Sequence, residues 1–307
     1  MADDRVVGEI VSELFLNTCQ QRRRLNTDDV AYMKNSSFMA TAIGWSDDID
    51  IIPLSTGSVA EFYIEPMLSC IGDVDIMYHP SAQLAIPQGH PPPIQLPDEF
   101  RCLVHVFEIV DSEFPGYVHL VSSYLLTEIT DDGKYNAVRW PHYYKVSLLG
   151  HGFTRKLFEF TKNQGPAFSR KESDKETPFF VSRGLLSMDA VPCVRCLSWP
   201  LQAADWPTQH RNYGWPDSAT LDHVVSNGCD VVEVAHRLCR QDEWMSKYQH
   251  RLSFSRAEIT LLNSWMKVQQ IVYHMLRSFM KNEGLTDITD NTGSKILSNY
   301  NIKTLML

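Results

Sequence analysis

The stretch that decides the fold runs from Gly57-Ser58-Val59-Ala60-Glu61 to Asp73-Val74-Asp75-Ile76-Met77-Tyr78. Its second half is β-rich and reads as a strand, and because side chains alternate at period two, Asp73 and Asp75 emerge on one face. Two hard oxygen donors then point the same way, which is what Mg²⁺ asks for when protein carboxylates share it with substrate phosphates. Upstream, Gly57-Ser58 has the spacing of a turn that opens a helix, offering backbone N–H groups, a hydroxyl and the positive helix end to a triphosphate. A D-x-D pair alone carries little, because 22 aspartates in 307 residues give about 1.6 such pairs by chance. A second pair, Asp48-Ile49-Asp50, lacks a turn of that kind ahead of it and reads as a solvated loop. A third acid sits in Leu185 to Cys196 (LLSMDAVPCVRC), where Asp189 interrupts an apolar strand. An ionisable residue there needs a reason, and completing a two-metal site is one.

Working outward, Asp4 to about Arg24 carries Val7, Ile10, Val11 and Leu14 at threes and fours, which predicts a long amphipathic first helix. Residues 46 to 58 read as a loop or short strand leading into the turn. Leu103 to Val110 and Tyr117 to Leu126 are further strands, and the proline-rich residues 86 to 97 between them and the Asp73 strand read as a surface loop. Gly165 to Thr177 is polar and breaks the pattern. Past Trp199-Pro200 the character turns helical, the longest helix running from Ser255 to Glu283 behind a Ser255/Glu258 capping box. The expectation is an α+β chain: residues 1–204 form a mixed sheet flanked by helices, with a long first helix as spine, and residues 205–307 form a helical lobe. The closing run NYNIKTLML is apolar and uncapped, so that lobe is expected to be incomplete.

Composition bounds what this fold can do. Apolar residues make up 44% and charged residues 21%, globular values that exclude wholesale disorder and collagen. No apolar run approaches the ~18 residues of a membrane span, and the N-terminus is acidic, so a cytoplasmic protein without a membrane partner is expected. Seven scattered cysteines read as reduced thiols. The net charge of −9 gives no general field for nucleic acid. The one local patch is Arg22-Arg23-Arg24, which also suits the C-terminal end of a helix dipole.

The ordered motifs resemble a known family. Gly57-Ser58-x-x-Glu61 followed by Asp73-Val74-Asp75-Ile76-Met77 is similar to the active-site segment of the Mab-twenty-one family of nucleotidyltransferases, which includes cyclic GMP-AMP synthase (cGAS) and invertebrate cGAS-like receptors. Gly165-Pro166-Ala167, Asp189 to Pro200, Arg251-Leu252-Ser253-Phe254-Ser255 with Glu258, and Tyr300 to Thr304 match further family motifs in order, over nearly the whole chain. The resemblance implies that Asp73, Asp75 and Asp189 hold two Mg²⁺ or Mn²⁺ ions. It implies that Gly57, Ser58 and Glu61 belong to the donor-triphosphate turn. Lys267 then falls on the phosphates, Tyr300 stacks a base, and Arg251, Ser253 and Ser255 face the acceptor. The reaction implied is attack of a ribose hydroxyl on the α-phosphate of ATP, GTP or another nucleoside triphosphate, with pyrophosphate leaving. The product implied is a cyclic dinucleotide that activates STING, with double-stranded RNA at Arg22 to Arg24 as a candidate activator.

Each position also has a plainer reading: Lys267 as a solvated lysine, Tyr300 as a core aromatic, Ser255 as an N-cap. Zinc is not expected. The zinc cluster that vertebrate cGAS inserts after RLSFS-x-x-E is absent, Cys193-x-x-Cys196 has no second pair, and Cys229, His236 and Cys239 lack a fourth ligand in obvious register. Two other functions compete: a catalytically silent nucleotide-binding or scaffold protein of the same family, and a terminal transferase acting on RNA. The bases joined and the oligomeric state are left open by the sequence.

Overall fold

The computed structural model describes residues 51–56, 73–100, 102–130, 133–139, 162–164, 167–171, 187–209, 214–236, 238, 249–285, 288–289 and 297–306. The predicted first helix with Arg22, Arg23 and Arg24, the Asp48/Asp50 pair, and Gly57, Ser58 and Glu61 lie outside them. The architecture is mixed α+β, built on one eleven-stranded sheet. Its strands are β1 (Ile51–Thr56), β2 (Asp73–Pro80), β3 (Gln83–Pro87), β4 (Leu103–Asp111), β5 (Tyr117–Thr130), β6 (Lys134–Arg139), β7 (Lys162–Gln164), β8 (Ala167–Lys171), β9 (Ser187–Cys196), β10 (Cys229–Val232) and β11 (Gln249–Ser253). The helices are α1 (Ser218–Ser226), α2 (Ser255–Asn263), α3 (Lys267–Asn282) and α4 (Asn299–Met306).

Pairing runs β1-β2-β9-β10-β11-β5-β4-β3, and β3 meets β9 through Ala85 and Cys196, so the sheet curls back on itself at β9. The β2–β9, β3–β4 and β3–β9 pairs are parallel and the rest antiparallel. Inside the curl lie Ala85, Phe107, Ile109, Val118, Leu120, Val194, Val231 and Leu252. On the other side of β3 and β4, Leu84, Ile86, Val104, Val106 and Leu126 form a second core. Ordinary alternation lets β4 serve both, with Val104 and Val106 facing one core and Phe107 and Ile109 the other. In contrast, β5 needs a bulge: Val106 pairs with Tyr124 but Phe107 with Ser122, so the extra residue Ser123 reverses its alternation and turns Val118 and Leu120 to one core and Leu126 to the other.

Several sequence expectations are corrected. Residues 86 and 87 are not loop but the end of β3, where the missing N–H of Pro87 leaves no gap in a following ladder. The polar stretch from Gly165 contains β8, because pairing with β9 outweighs its weak β propensity. Beyond residue 204 the chain is not purely helical: β10 and β11 return to the sheet between β9 and β5. The predicted helix from Ser255 to Glu283 is two helices, α2 and α3, separated by Ser264-Trp265-Met266. There the Ser264 hydroxyl donates to Leu261 O (2.7 Å), Trp265 is buried against Tyr273, and the Gln269 side chain accepts the Met266 N–H (2.9 Å). The predicted start at Ser255 holds, but the capping box does not form. Phe254 is the N-cap, no side chain caps it, and Glu258 turns away to Lys303.

Candidate active site

The sequence DVDIMYHP builds β2, and its register fixes what stands beside each acid. Asp75 pairs directly with Asp189 on the parallel strand β9, and on its other side with Thr56 at the end of β1. Paired residues on adjacent strands share a face and lie about 4.7–4.9 Å apart along the ladder direction. Thr56, Asp75, Asp189 and, through β8, Ser169 therefore form one row across four strands. Asp73, two residues back on the same face, begins the next row with Ser187 and Lys171. Gly57 and Ser58, outside the described residues, follow Thr56 directly in the sequence. Asp75 is half-buried; the side chains of Asp73 and Asp189 lie outside the described set. Among the described residues, no group of three His, Cys, Asp or Glu side chains gathers as a metal site.

Farther along the same face comes Met77, packed with Cys193, Val232 and Leu54. Its sulfur accepts the Ser253 hydroxyl at 3.7 Å, and the Ser253 and Ser255 hydroxyls lie 3.1 Å apart. Of the residues assigned to the acceptor side, Ser253 thus lies against the strand that carries Asp73 and Asp75, and Ser255 is joined to it through Ser253. Arg251 stands two residues before Ser253 on β11, exposed, between Val232 and Tyr117. Tyr300 is 62% exposed on α4, which makes it an available aromatic surface and not a core residue. On the same helix Lys303 donates to Glu258 Oε2 at 2.8 Å, tying α4 to the first turn of α2. Lys267 begins α3, and its side chain lies outside the described set.

Sequence reasoning missed four residues here. Asp230, fully buried in β10, accepts Arg256 Nε at 2.9 Å and has the Cys193 thiol 3.9 Å from its other oxygen. Arg256 follows Ser255, so its signal was adjacent to a motif already singled out. Arg195, the register neighbour of Asp230, donates to the backbone carbonyls of Cys196 (2.7 Å), Cys229 (2.8 Å) and Asn227. His79 is buried on β2 with neither ring nitrogen hydrogen-bonded. Burial first, then the nearby Arg256 and Arg195 charges, push its pKa down to about 4. Cys193 and Cys229 are buried thiols pushed well above the usual thiol range, the first mainly by desolvation and the second mainly by its hydrogen bond with Cys196. Cys102, Cys193, Cys196 and Cys229 are all free.

Asp75 and Asp189 stand side by side where the parallel strands β2 and β9 pair, with Asp73 on the same face. Residues 154–264 match the family model of the Mab-21 protein nucleotidyltransferase domain. The match agrees with the family named from the motifs and covers Asp189, Arg251, Ser253 and Ser255, while Asp73 and Asp75 precede it. No curated protein matches the chain. Among the described residues no helix is long and apolar enough to cross a membrane.

Proposed function

We propose that this chain is a cytoplasmic nucleotidyltransferase of the cGAS-like kind, joining nucleoside triphosphates into a cyclic dinucleotide that signals through STING, with double-stranded RNA as activator. One observation carries the reading: Asp75 and Asp189 are register partners on parallel strands, with Asp73 on the same face. That is an all-oxygen, hard donor set, which fits Mg²⁺ or Mn²⁺ and does not suit a soft ion. Asp73, Asp75 and Asp189 would hold two such ions, which when bound supply charge stabilisation for the attacking and leaving oxygens.

The chain's own residues do the rest by positioning. Gly57, Ser58 and Glu61 at the turn after β1 would seat the donor triphosphate, with Lys267 reaching its phosphates. Arg251, Ser253 and Ser255 would orient the acceptor nucleotide, and Tyr300 would stack its exposed ring on a base. The acceptor's ribose oxygen bonds to the α-phosphorus, the bond from that phosphorus to the leaving oxygen breaks, pyrophosphate departs, and the hydroxyl proton passes to solvent. A second transfer closes the ring. Arg22 to Arg24 would receive the RNA backbone.

The test is to incubate the protein with ATP, GTP, CTP and UTP and Mg²⁺ or Mn²⁺, with and without double-stranded RNA or DNA, and to identify products by mass spectrometry. A cyclic dinucleotide that disappears in Asp73→Asn/Asp75→Asn supports the proposal and names its bases. Linear RNA tailing would make it a terminal transferase. Nucleotide binding without any product would make it a silent binding module.

A further inference from the structure

We infer that the buried Asp230–Arg256 pair is a positioning device that holds the Ser253–Ser255 hydroxyl pair against the carboxylate-bearing face of the sheet. The inference rests on the reading of that face as a nucleotidyl-transfer site. The sequence assigned neither residue a role.

Five observations build the device. Asp230 is buried completely; one of its oxygens accepts from Arg256 Nε at 2.9 Å, and the other lies 3.9 Å from the Cys193 thiol, whose closer acceptor is the Tyr78 carbonyl oxygen at 3.3 Å. Arg195 stands beside it in register and adds its charge, but its guanidinium donates to three backbone carbonyls, so among the described residues it is Arg256 that hydrogen-bonds this carboxylate. Arg256 is the second residue of α2, directly after Ser255, and lies 26 residues from Asp230 in the chain. Asp230 is also the register partner of Ser253, so strand pairing and ion pair grip the two ends of the Ser253-Phe254-Ser255 corner. From that corner the contacts continue to Met77, at 3.7 Å from the Ser253 hydroxyl and two residues past Asp75 on the same face.

A buried ion pair is a weak source of stability, because desolvation cancels most of its attraction and a well-packed apolar pair often does as well. What an apolar pair lacks is direction. The Nε–Oδ2 bond fixes the rotation of α2 about its axis, and α2 otherwise begins without a side-chain cap. Its first turn closes instead on the backbone, with the Glu258 N–H donating to Phe254 O at 2.8 Å. Fixing that turn matters for transfer because a misplacement of ~1 Å in a reacting group costs on the order of a hundredfold in rate.

The test compares wild type with Asp230→Leu/Arg256→Leu, which keeps a packed pair without direction, and with Arg256→Lys, which keeps the charge and loses the planar donor. Hydrogen exchange at the Glu258 amide reports the first turn of α2 whether or not the protein turns over. The inference expects exchange there at least about tenfold faster in the folded double variant, with Arg256→Lys intermediate. In the product assay it expects kcat/KM to fall about tenfold or more, while affinity for α,β-methylene-ATP with Mg²⁺ changes by less than about twofold. Unchanged exchange in a folded variant overturns the inference. So does loss of analogue binding in parallel with rate, which marks general damage. Should the double variant fail to fold, Arg256→Lys alone decides by the same exchange readout. A wild type that makes no product sinks the proposed function instead, and the exchange result still judges the pair.

Discussion

His79 shows how one buried side chain ties stability to pH. Its folded pKa is lowered to about 4 from an ordinary value of 6.5, so between those values the unfolded chain binds more protons than the folded one. Stability is therefore lost as pH falls through that window, by about 2 kcal/mol between pH 7 and pH 5. Urea titrations at the two pH values should show this loss in wild type and a much smaller one in His79→Phe, an uncharged ring that keeps the contact with Phe100. Equal pH dependence in the two proteins would show that other groups carry it. At this scale the sequence was informative about chemistry and silent about burial. Asp73, Asp75 and Asp189 could be picked out because acids in apolar strands are rare. Asp230 sits in the four-residue CDVV, too short for periodicity to separate strand from loop, and His79 falls one residue beyond the Asp73 to Tyr78 run read as a strand.

At the scale of elements, the approach of β10 to the end of β9 depends on Gly228. It has φ +61, and a Cβ there would stand 2.3 Å from Cys196 O and 2.8 Å from Leu197 C, both backbone atoms that cannot step aside. Gly228→Ala should cost about 2–4 kcal/mol in urea unfolding, combining left-handed strain with the clash. A loss below about 0.5 kcal/mol would mean that the start of β10 shifts freely. The break between α2 and α3 makes a second claim. Trp265, 4% exposed, packs in a cluster with Leu262, Tyr273, Met280 and Ile302. Trp265→Ala should therefore cost about 3–5 kcal/mol, the range for emptying an aromatic core site. Periodicity read across this break as one helix because Ile259, Leu262, Met266 and Gln269 keep threes and fours through it. Only the burial of Trp265 and the Gln269 side chain at the Met266 N–H mark the stop. The long alternating strands β4 and β5 were legible; β3, β8, β10 and β11, five residues or fewer, were decided by their neighbours.

Across the whole molecule, α4 is joined to the sheet side through Lys303 and Glu258, whose side chains are 13% and 19% exposed. Lys303→Met should lower stability by about 1–3 kcal/mol, and a double-mutant cycle with Glu258→Gln should return coupling of that order. Additive losses would mean that α4 is held by Ile302 and its apolar neighbours alone. At this scale the order of three sparse motifs along the chain pointed to Asp189 as a third acid for Asp73 and Asp75. The convergence of Asp75 and Asp189 as register partners was not legible, since register between β2 and β9 is set by pairing over more than a hundred residues of sequence.

That convergence is tested most directly without turnover, which depends on the right nucleotides and activator. Electron paramagnetic resonance counts free Mn²⁺ as it is titrated into protein holding α,β-methylene-ATP. The carboxylate row predicts about two ions per chain in wild type. It predicts a loss of at least one in Asp75→Asn and in Asp189→Asn, with melting temperatures unchanged within a few degrees. Wild-type binding that survives both substitutions, or a wild type that takes up no Mn²⁺ with the analogue bound, would contradict it.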